Sequence, residues 1–141
     1  MGFYPYLFFG GNCREAFTRC QEIFGGELVV FAMSDLPPGE DAPPPGTEHL
    51  VMHAALMIGD ALVMGSDDIM STDSFGPVQG MQVNYSTKDP EDAKRVYDAL
   101  ADGGQATQPL IETFFSPAFG MVTDRFGTPW MIAAEQPDHA G

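Results

Sequence analysis

The sequence predicts an α+β fold in which one strand–helix–strands module is used twice. The first observation is a pair of helix-like runs, one after Asn12 and one after Asp89, each ended by two consecutive glycines. The second is that each run follows an aromatic, β-prone segment and precedes further β-prone segments. The third is that each set closes on a tight glycine turn and one more apolar strand. The chain is therefore predicted to be internally duplicated.

The first helix is predicted from Cys13 to Phe24. Asn12 is the expected N-cap, and Glu15 stands where a capping box places its carboxylate. The glycine pair at 25 and 26 supplies the left-handed stop. Residues at helical spacing form one apolar stripe, which consists of Cys13, Ala16, Phe17, Cys20 and Phe24.

The second helix is predicted after Asp89, which is the expected N-cap, with Pro90 at the first helical position. Glu91 and Asp92 suit the positive end of the helix dipole. The glycine pair at 103 and 104 ends the run. Its apolar stripe consists of Ala93, Val96, Tyr97, Leu100 and Ala101.

Eight further segments are rich in β-branched, aromatic and other apolar residues and are predicted to be strands. Gly59-Asp60 marks a hairpin turn, and the segment 125–127 marks a slightly longer one. The predicted strands are 3–9, 27–33, 49–57, 61–65, 81–86, 106–111, 119–124 and 129–134.

The chain has 141 residues and is predicted to form a single domain, 1–141, with a first module at 1–70 and a second at 76–136. A proline-rich acidic segment, 37–46, is predicted to be a loop inside the first module. The polar segment 67–77 is predicted to link the two modules.

Charge and composition restrict the class of partner. The formal net charge is −14, from 20 acidic and 6 basic residues, so nucleic acid and anionic membranes are expected to be repelled. No apolar run is long enough to span a membrane, and the first residues lack the basic start of a secretion signal. Cys13 and Cys20 on one helix would be about 10 Å apart along its axis, too far for a disulfide. The predicted location is the cytoplasm.

Three stretches of the chain are specific enough to suggest a family. They are PYLFFGGNC with the helix after it, HAAL before the first glycine turn, and ETFFSPAFG with VTDRFGTPWMI near the end. Through them the chain resembles the vicinal oxygen chelate superfamily, which includes glyoxalase I, bleomycin-resistance proteins and extradiol dioxygenases. The closer resemblance is to its PhnB-like branch, often labelled 3-demethylubiquinone methyltransferase-like. The resemblance implies two βαβββ modules that curl into half-barrels and chains that pair as homodimers.

The resemblance also implies where a cup would hold a divalent metal through His, Gln or Glu on four strands. In this chain the matching positions fall near Pro5, at Met64, at Met81 or Gln82, and near Met131. Proline and methionine do not bind hard divalent cations, and one glutamine would make a poor site. We therefore expect no metal site and no cofactor. A shift of one residue would bring in Tyr6, Gly65, Trp130 and Ile132.

Two histidines and an aromatic cluster are the remaining candidates. His49 and His53 on one strand would be about 13 Å apart, too far to share a metal. His53 is interpreted either as a hydrogen-bonding group in the cup or as a histidine satisfied within the strand. A cluster around a Ser-Pro turn either packs in the core or lines the pocket. It comprises Phe114, Phe115, Phe119 and Trp130.

The resulting hypothesis is a small-molecule-binding protein without the usual divalent metal. One alternative is a metal-dependent isomerase, lyase or dioxygenase of the same superfamily. Another is a protein that sequesters a cationic drug. Separately, Glu112 and Asp124 flank the aromatic stretch, and a glutamate near the cup is interpreted either as a general base or as a surface acid. No catalytic residue is assigned. The predicted ligand-binding residues are Tyr6, His53, Met64, Gln82, Phe114, Phe115, Phe119, Trp130 and Met131.

Overall fold

The order strand, helix and three strands occurs twice in the structure. A computed structural model describes residues 2–35, 46–67 and 78–136. The chain divides into two compact units, Met1–Gly76 and Pro77–Gly141. Most of the predicted proline-rich loop and of the predicted linker lies outside the described residues.

In the described residues, the first unit has four strands, one α-helix and, between the second and third strands, a short 3-10 turn. The elements are β1 (Tyr6–Phe9), α1 (Cys13–Phe24), β2 (Glu27–Ala32), the turn Met33–Asp35, β3 (Val51–Ile58) and β4 (Ala61–Asp67). The second unit repeats the order as β5 (Val83–Thr87), α2 (Pro90–Ala101), β6 (Gln105–Ile111), β7 (Phe119–Thr123) and β8 (Pro129–Ala134).

The two sheets have the same topology. In the first, the strand order is β1-β4-β3-β2, with β1 parallel to β4 and the other pairs antiparallel. In the second, the order is β5-β8-β7-β6, with the corresponding parallel pair between β5 and β8. Both sheets are open, with an edge strand at each side. The predicted α+β fold of two βαβββ modules is confirmed.

Each sheet carries its helix on one face, and that face holds the core of the unit. In the first unit, Leu7 and Ala54 are buried on the side of α1 together with Phe17. A Cβ at Gly65 would come within 2.7 Å of the Phe17 ring, which explains why the strand has no side chain there. We call the opposite side of each sheet, turned away from its own helix, the open face.

The start of α1 differs from the predicted capping box. The Asn12 side chain makes no capping hydrogen bond, and its backbone (φ −117°, ψ 26°) is not in the extended conformation typical of a cap. Instead, the N–H groups of Gly11 and Cys13 donate to Oδ1 of Asp67, at 3.0 and 2.9 Å. The capping prediction for this helix is therefore wrong, because a carboxylate 54 residues away in the sequence takes the place of the local one.

The predicted start of the linker at Asp67 is also wrong. Asp67 is the last residue of β4 rather than part of a connection, and it is buried. Its second oxygen, Oδ2, accepts a hydrogen bond from the Val51 N–H at 2.8 Å. One carboxylate thus joins the start of α1, the start of β3 and the end of β4.

The second helix begins as predicted. The Asp89 carboxylate accepts a hydrogen bond from the Glu91 N–H, with Pro90 in the first turn. The predicted apolar stripe of α2 is largely confirmed, since Ala93, Val96, Tyr97 and Leu100 are buried.

Both cysteines are free, as the spacing along one helix required. Cys13 is fully buried and Cys20 is half-buried. Burial raises the pKa of the Cys13 thiol to about 12, with a further contribution from the nearby Asp67 charge. Cys13 therefore behaves as a small apolar core residue rather than as a nucleophile.

Strand β3 begins later than predicted. It starts at Val51, so His49 lies outside the strand and is exposed. The register between β2 and β3 shifts after Phe31, which places an irregularity at this end of the pair. Among the helices of the described residues, none is long and apolar enough to cross a membrane.

Candidate functional site

The open face of the first unit exposes a group of large apolar side chains. Strand alternation places them opposite the helix-covered residues, because Tyr6 neighbours Met64 across the ladder while Leu7 neighbours Gly65. Each member is 38% to 52% exposed, and the group consists of Tyr6, Phe8, Val29, Phe31 and Met57. An exposed patch of this kind is typical of a surface that binds a ligand or partner.

Tyr6 and His53 form a hydrogen-bonded pair on this face. The Tyr6 hydroxyl oxygen lies 3.2 Å from Nδ1 of His53, and the two ring centroids are 5.8 Å apart. The Phe8 ring lies beside Tyr6, with centroids 5.2 Å apart. Phe31 is the strand partner of His53 on β2. The structure thus brings the rings of Phe8, Tyr6 and His53 together in one row, which we call the aromatic strip.

The open face of the second unit has a different chemistry, in which amides surround two methionines. Asn84 neighbours Met131, which neighbours Met121 on the next strand, and Met121 in turn neighbours Gln108. The Gln82 side-chain amide lies 3.3 Å from the Met121 sulfur. This part of the face is therefore more polar than the aromatic group on the open face of the first unit.

Three phenylalanine rings, Phe119, Phe115 and Phe114, contact one another in a row that leads away from this second open face, and we call this row the phenylalanine ladder. Phe115 makes edge-to-face contacts with Phe119 and with Phe114, at centroid distances of 5.0 and 5.1 Å. Ser116 anchors the loop, because its buried hydroxyl contacts the carbonyl oxygens of Ala118 and Ala134. Phe114 is 93% exposed at the end of the ladder. The aromatic side chains are thus held in place at the surface by a fixed turn.

Trp130 does not belong to this open face, contrary to the prediction that it lines the pocket with the phenylalanines. It neighbours Val122 on the helix-covered side of the sheet and is 3% exposed. Its Nε1–H donates to Oδ2 of Asp124 at 3.0 Å. Its burial and this bond give Trp130 a place in the core of the second unit.

Asp124 is correspondingly neither a surface acid nor placed to act as a general base. Its Oδ1 accepts hydrogen bonds from the N–H groups of Phe126 and Thr128, which closes the turn before β8. Burial raises the pKa of this carboxyl, although the hydrogen bonds from Trp130 and the turn act in the opposite direction. Glu112, the other acid considered, is exposed.

The cross-strand register gives the neighbours of Met64 and Met131, two positions that the resemblance matched to metal-binding strands. On the first sheet Tyr6 stands beside Met64, and on the second Asn84 stands beside Met131. Residues 2–35, 46–67 and 78–136 contain no group of three or more His, Cys, Asp and Glu side chains that could hold a metal ion. These side chains do not fit a hard divalent cation.

Most of the predicted residues lie on or beside the open faces. Tyr6, His53 and Met64 share the first face. Gln82, Phe119 and Met131 belong to the second, which the ladder of Phe114 and Phe115 extends. Sequence reasoning missed Phe8, Asn84 and Met121, although two of them could have been found from alternation with Tyr6 and Gln82.

The comparison with protein families agrees with this architecture. The model of the family described as 3-demethylubiquinone-9 3-methyltransferase matches residues 1–133. The chain belongs to this family. Among curated proteins, protein YjdN of Escherichia coli is 33% identical to this chain over 136 residues, which cover 91% of each protein.

Solved structures of similar proteins show the same fold. Protein PA1353 of Pseudomonas aeruginosa is 36% identical, with 96% of this chain and 98% of that chain covered and a TM-score of 0.86. The PhnB protein of Bacillus cereus is 25% identical, with 95% and 99% covered and a TM-score of 0.75. A glyoxalase/bleomycin resistance protein/dioxygenase family enzyme of Burkholderia phytofirmans is 15% identical, with 94% and 97% covered and a TM-score of 0.62. The predicted PhnB-like branch is confirmed, and so is the predicted glyoxalase/bleomycin-resistance-like fold.

Proposed function

We propose that this 3-demethylubiquinone-9 3-methyltransferase family member binds a small organic molecule on its open faces without a divalent metal. The observation that carries the proposal is the aromatic strip of Phe8, Tyr6 and His53, in which the Phe8 and Tyr6 rings are 52% and 38% exposed and His53 is half-buried beside them. A soluble protein exposes such a strip at an energetic cost unless a ligand or partner covers it.

Beside the Tyr6 phenol and the His53 imidazole, the described residues place thioethers and neutral amides on the two faces, which supports a metal-free site. Met64 and Met131 supply thioethers, and Asn84 supplies a neutral amide. Soft sulfur ligands and single neutral oxygens bind Mg²⁺, Mn²⁺ or Zn²⁺ poorly compared with imidazole and carboxylate sets. Methionine is, however, well suited to an adaptable apolar wall around an organic ligand.

Methyl transfer is not part of the proposal, despite the description of the family. The N–H groups between β1 and α1, where a glycine pair follows a strand, donate to Asp67 rather than facing a cofactor. The sheet order β1-β4-β3-β2 also lacks the parallel arrangement on which Rossmann folds bind cofactors.

Ligand binding is expected to depend on the aromatic strip. Replacing Phe8 by alanine removes a half-exposed ring beside Tyr6 and should weaken a bound aromatic compound about tenfold. The measurement is a thermal-shift screen of neutral, cationic and anionic aromatic compounds, followed by calorimetry on the compounds that raise the melting temperature.

The matched control is Phe3→Ala, because Phe3 is 93% exposed and precedes β1. This variant should bind the same compounds as the unmodified protein. Equal affinities for the Phe8 and Phe3 variants would place the ligand elsewhere. Hits confined to cationic compounds would favour the alternative of drug sequestration, which the net charge of −14 suggests.

Removal of metal is expected to leave the protein unchanged. Protein purified without an affinity tag or chelator should contain less than a tenth of an equivalent of divalent metal, as a rough bound set by weak adventitious binding. Its melting temperature should be the same with and without EDTA. Stoichiometric metal, or a large drop in melting temperature with EDTA, would support the alternative of a metal-dependent enzyme.

A further inference from the structure

We propose that the Tyr6–His53 pair is a fixed hydrogen-bond donor that recognises the carbonyl oxygen of a neutral, planar aromatic ligand. This inference rests on the proposed function and specifies the ligand class of the first open face. It is drawn from the 3.2 Å contact between the Tyr6 hydroxyl and His53 Nδ1 and from the Phe8 ring that lies beside Tyr6.

The chemistry of the two groups gives the hydrogen bond its direction. A phenol is a better proton donor than a neutral imidazole N–H, and an imidazole nitrogen is a better acceptor than a phenol oxygen. The Tyr6 hydroxyl therefore donates to Nδ1 of His53. The ring proton of the neutral imidazole is then on Nε2, so His53 presents an N–H donor to a second acceptor. Tyr6 is in this sense a positioning residue for His53.

The geometry of the strip indicates a flat ligand. The rings of Phe8, Tyr6 and His53 follow one another at centroid distances of 5.2 and 5.8 Å and are tilted against one another by 45° and 33°, so they offer a row of aromatic faces and edges. Aromatic groups pack on such surfaces by offset stacking or edge contacts, which favour planar partners.

Charge decides between an anionic and a neutral acceptor. The chain carries a net charge of −14. On the same face Glu27 lies at one end of the β2 row that contains Val29 and Phe31. These charges oppose a carboxylate or phosphate ligand, whereas a carbonyl oxygen accepts the Nε2–H bond with little repulsion. A neutral aromatic ketone or amide is the class that fits.

The test uses three probes of similar size: acetophenone, ethylbenzene and cyclohexyl methyl ketone. Acetophenone has both the ring and the carbonyl, while each of the others lacks one of them. Ligand-observed NMR titrations of the full chain should give the tightest binding for acetophenone, by about tenfold over ethylbenzene. His53→Phe keeps an aromatic ring but removes the donor, and should abolish the preference for acetophenone over ethylbenzene.

The matched control is His49→Phe, which makes the same change at an exposed histidine outside β3 and should leave the preference intact. The role of Tyr6 has its own readout, since Tyr6→Phe should redistribute the proton between the two ring nitrogens of His53 in ¹⁵N spectra. An unchanged tautomer in that variant would overturn the positioning role.

Failure of this inference differs from failure of the proposed function. If acetophenone binds the unmodified protein and His53→Phe equally, or no more tightly than ethylbenzene, the donor role is overturned while binding on the face stands. If none of the three probes binds but other compounds do, the ligand class is wrong. If no organic compound perturbs either open face, the proposed function fails as well.

Discussion

Replacing Asp67 by alanine is expected to lower the free energy of unfolding of the first unit by about 3–5 kcal/mol. The carboxylate is 6% exposed and accepts hydrogen bonds from the N–H groups of Gly11, Cys13 and Val51. Its removal leaves three N–H groups without their acceptor at buried or partly buried positions, and each loss costs about 1–3 kcal/mol. The alanine also leaves a small cavity.

Urea denaturation followed by circular dichroism would measure the change. Asp67→Asn should have an intermediate effect, because its single carbonyl oxygen can replace Oδ1 or Oδ2 but not both. The matched control is Asp60→Ala in the exposed β3–β4 turn, where we expect little change. Equal stabilities of the Asp67 and Asp60 variants would contradict the structural role of Asp67.

Replacing Asp124 by alanine is expected to destabilise the second unit by about 2–4 kcal/mol. The change removes the acceptor for the Trp130 indole N–H and for the N–H groups of Phe126 and Thr128. Trp130 and Thr128 are both buried, so their donors cannot turn to water. Trp130 fluorescence during denaturation reports on the affected site directly, and Asp102→Ala at an exposed turn is the control.

Asp124 is also expected to change how the free energy of unfolding depends on pH. Because the folded-state pKa of Asp124 is raised above its ordinary value of 3.8, the folded protein binds this proton more tightly than the unfolded chain does. Protonation of the Asp124 carboxyl therefore stabilises the folded protein. This stabilisation is fully present below pH 3.8 and is lost as the pH rises through the folded-state pKa of Asp124. Relative to Asp124→Asn, the unmodified protein should therefore lose stability over this interval. A constant difference between the two proteins would contradict the raised pKa.

The sequence was sufficient for features that depend on neighbouring residues. The two helices, the duplicated order and the turn at Gly59-Asp60 all follow from local periodicity and turn chemistry, and the structure confirms them. The cap of α2 also follows, because Asp89 and the Glu91 N–H are two residues apart. These are the interactions that a linear pattern can contain.

Features that depend on strand register could not be obtained in this way. The capping box at Asn12 was wrong because a remote carboxylate took its place. The contact between Tyr6 and His53 joins residues 47 positions apart. The prediction that Trp130 lines the pocket was wrong because β8 is apolar on both of its sides. Met131 lies on one side and Trp130 and Ile132 on the other, so the alternation of apolar and polar residues does not distinguish the two faces.

The two halves of the chain differ in how early each helix can be stabilised. The helix of the second half carries its own terminal acceptor in Asp89, so it can begin to form as soon as its own segment exists. The helix of the first half depends on Asp67, so its first turn is completed only after the last strand of that half has been synthesised and paired. The two halves therefore share one architecture but stabilise the first turn of their helices with acceptors at very different distances along the chain.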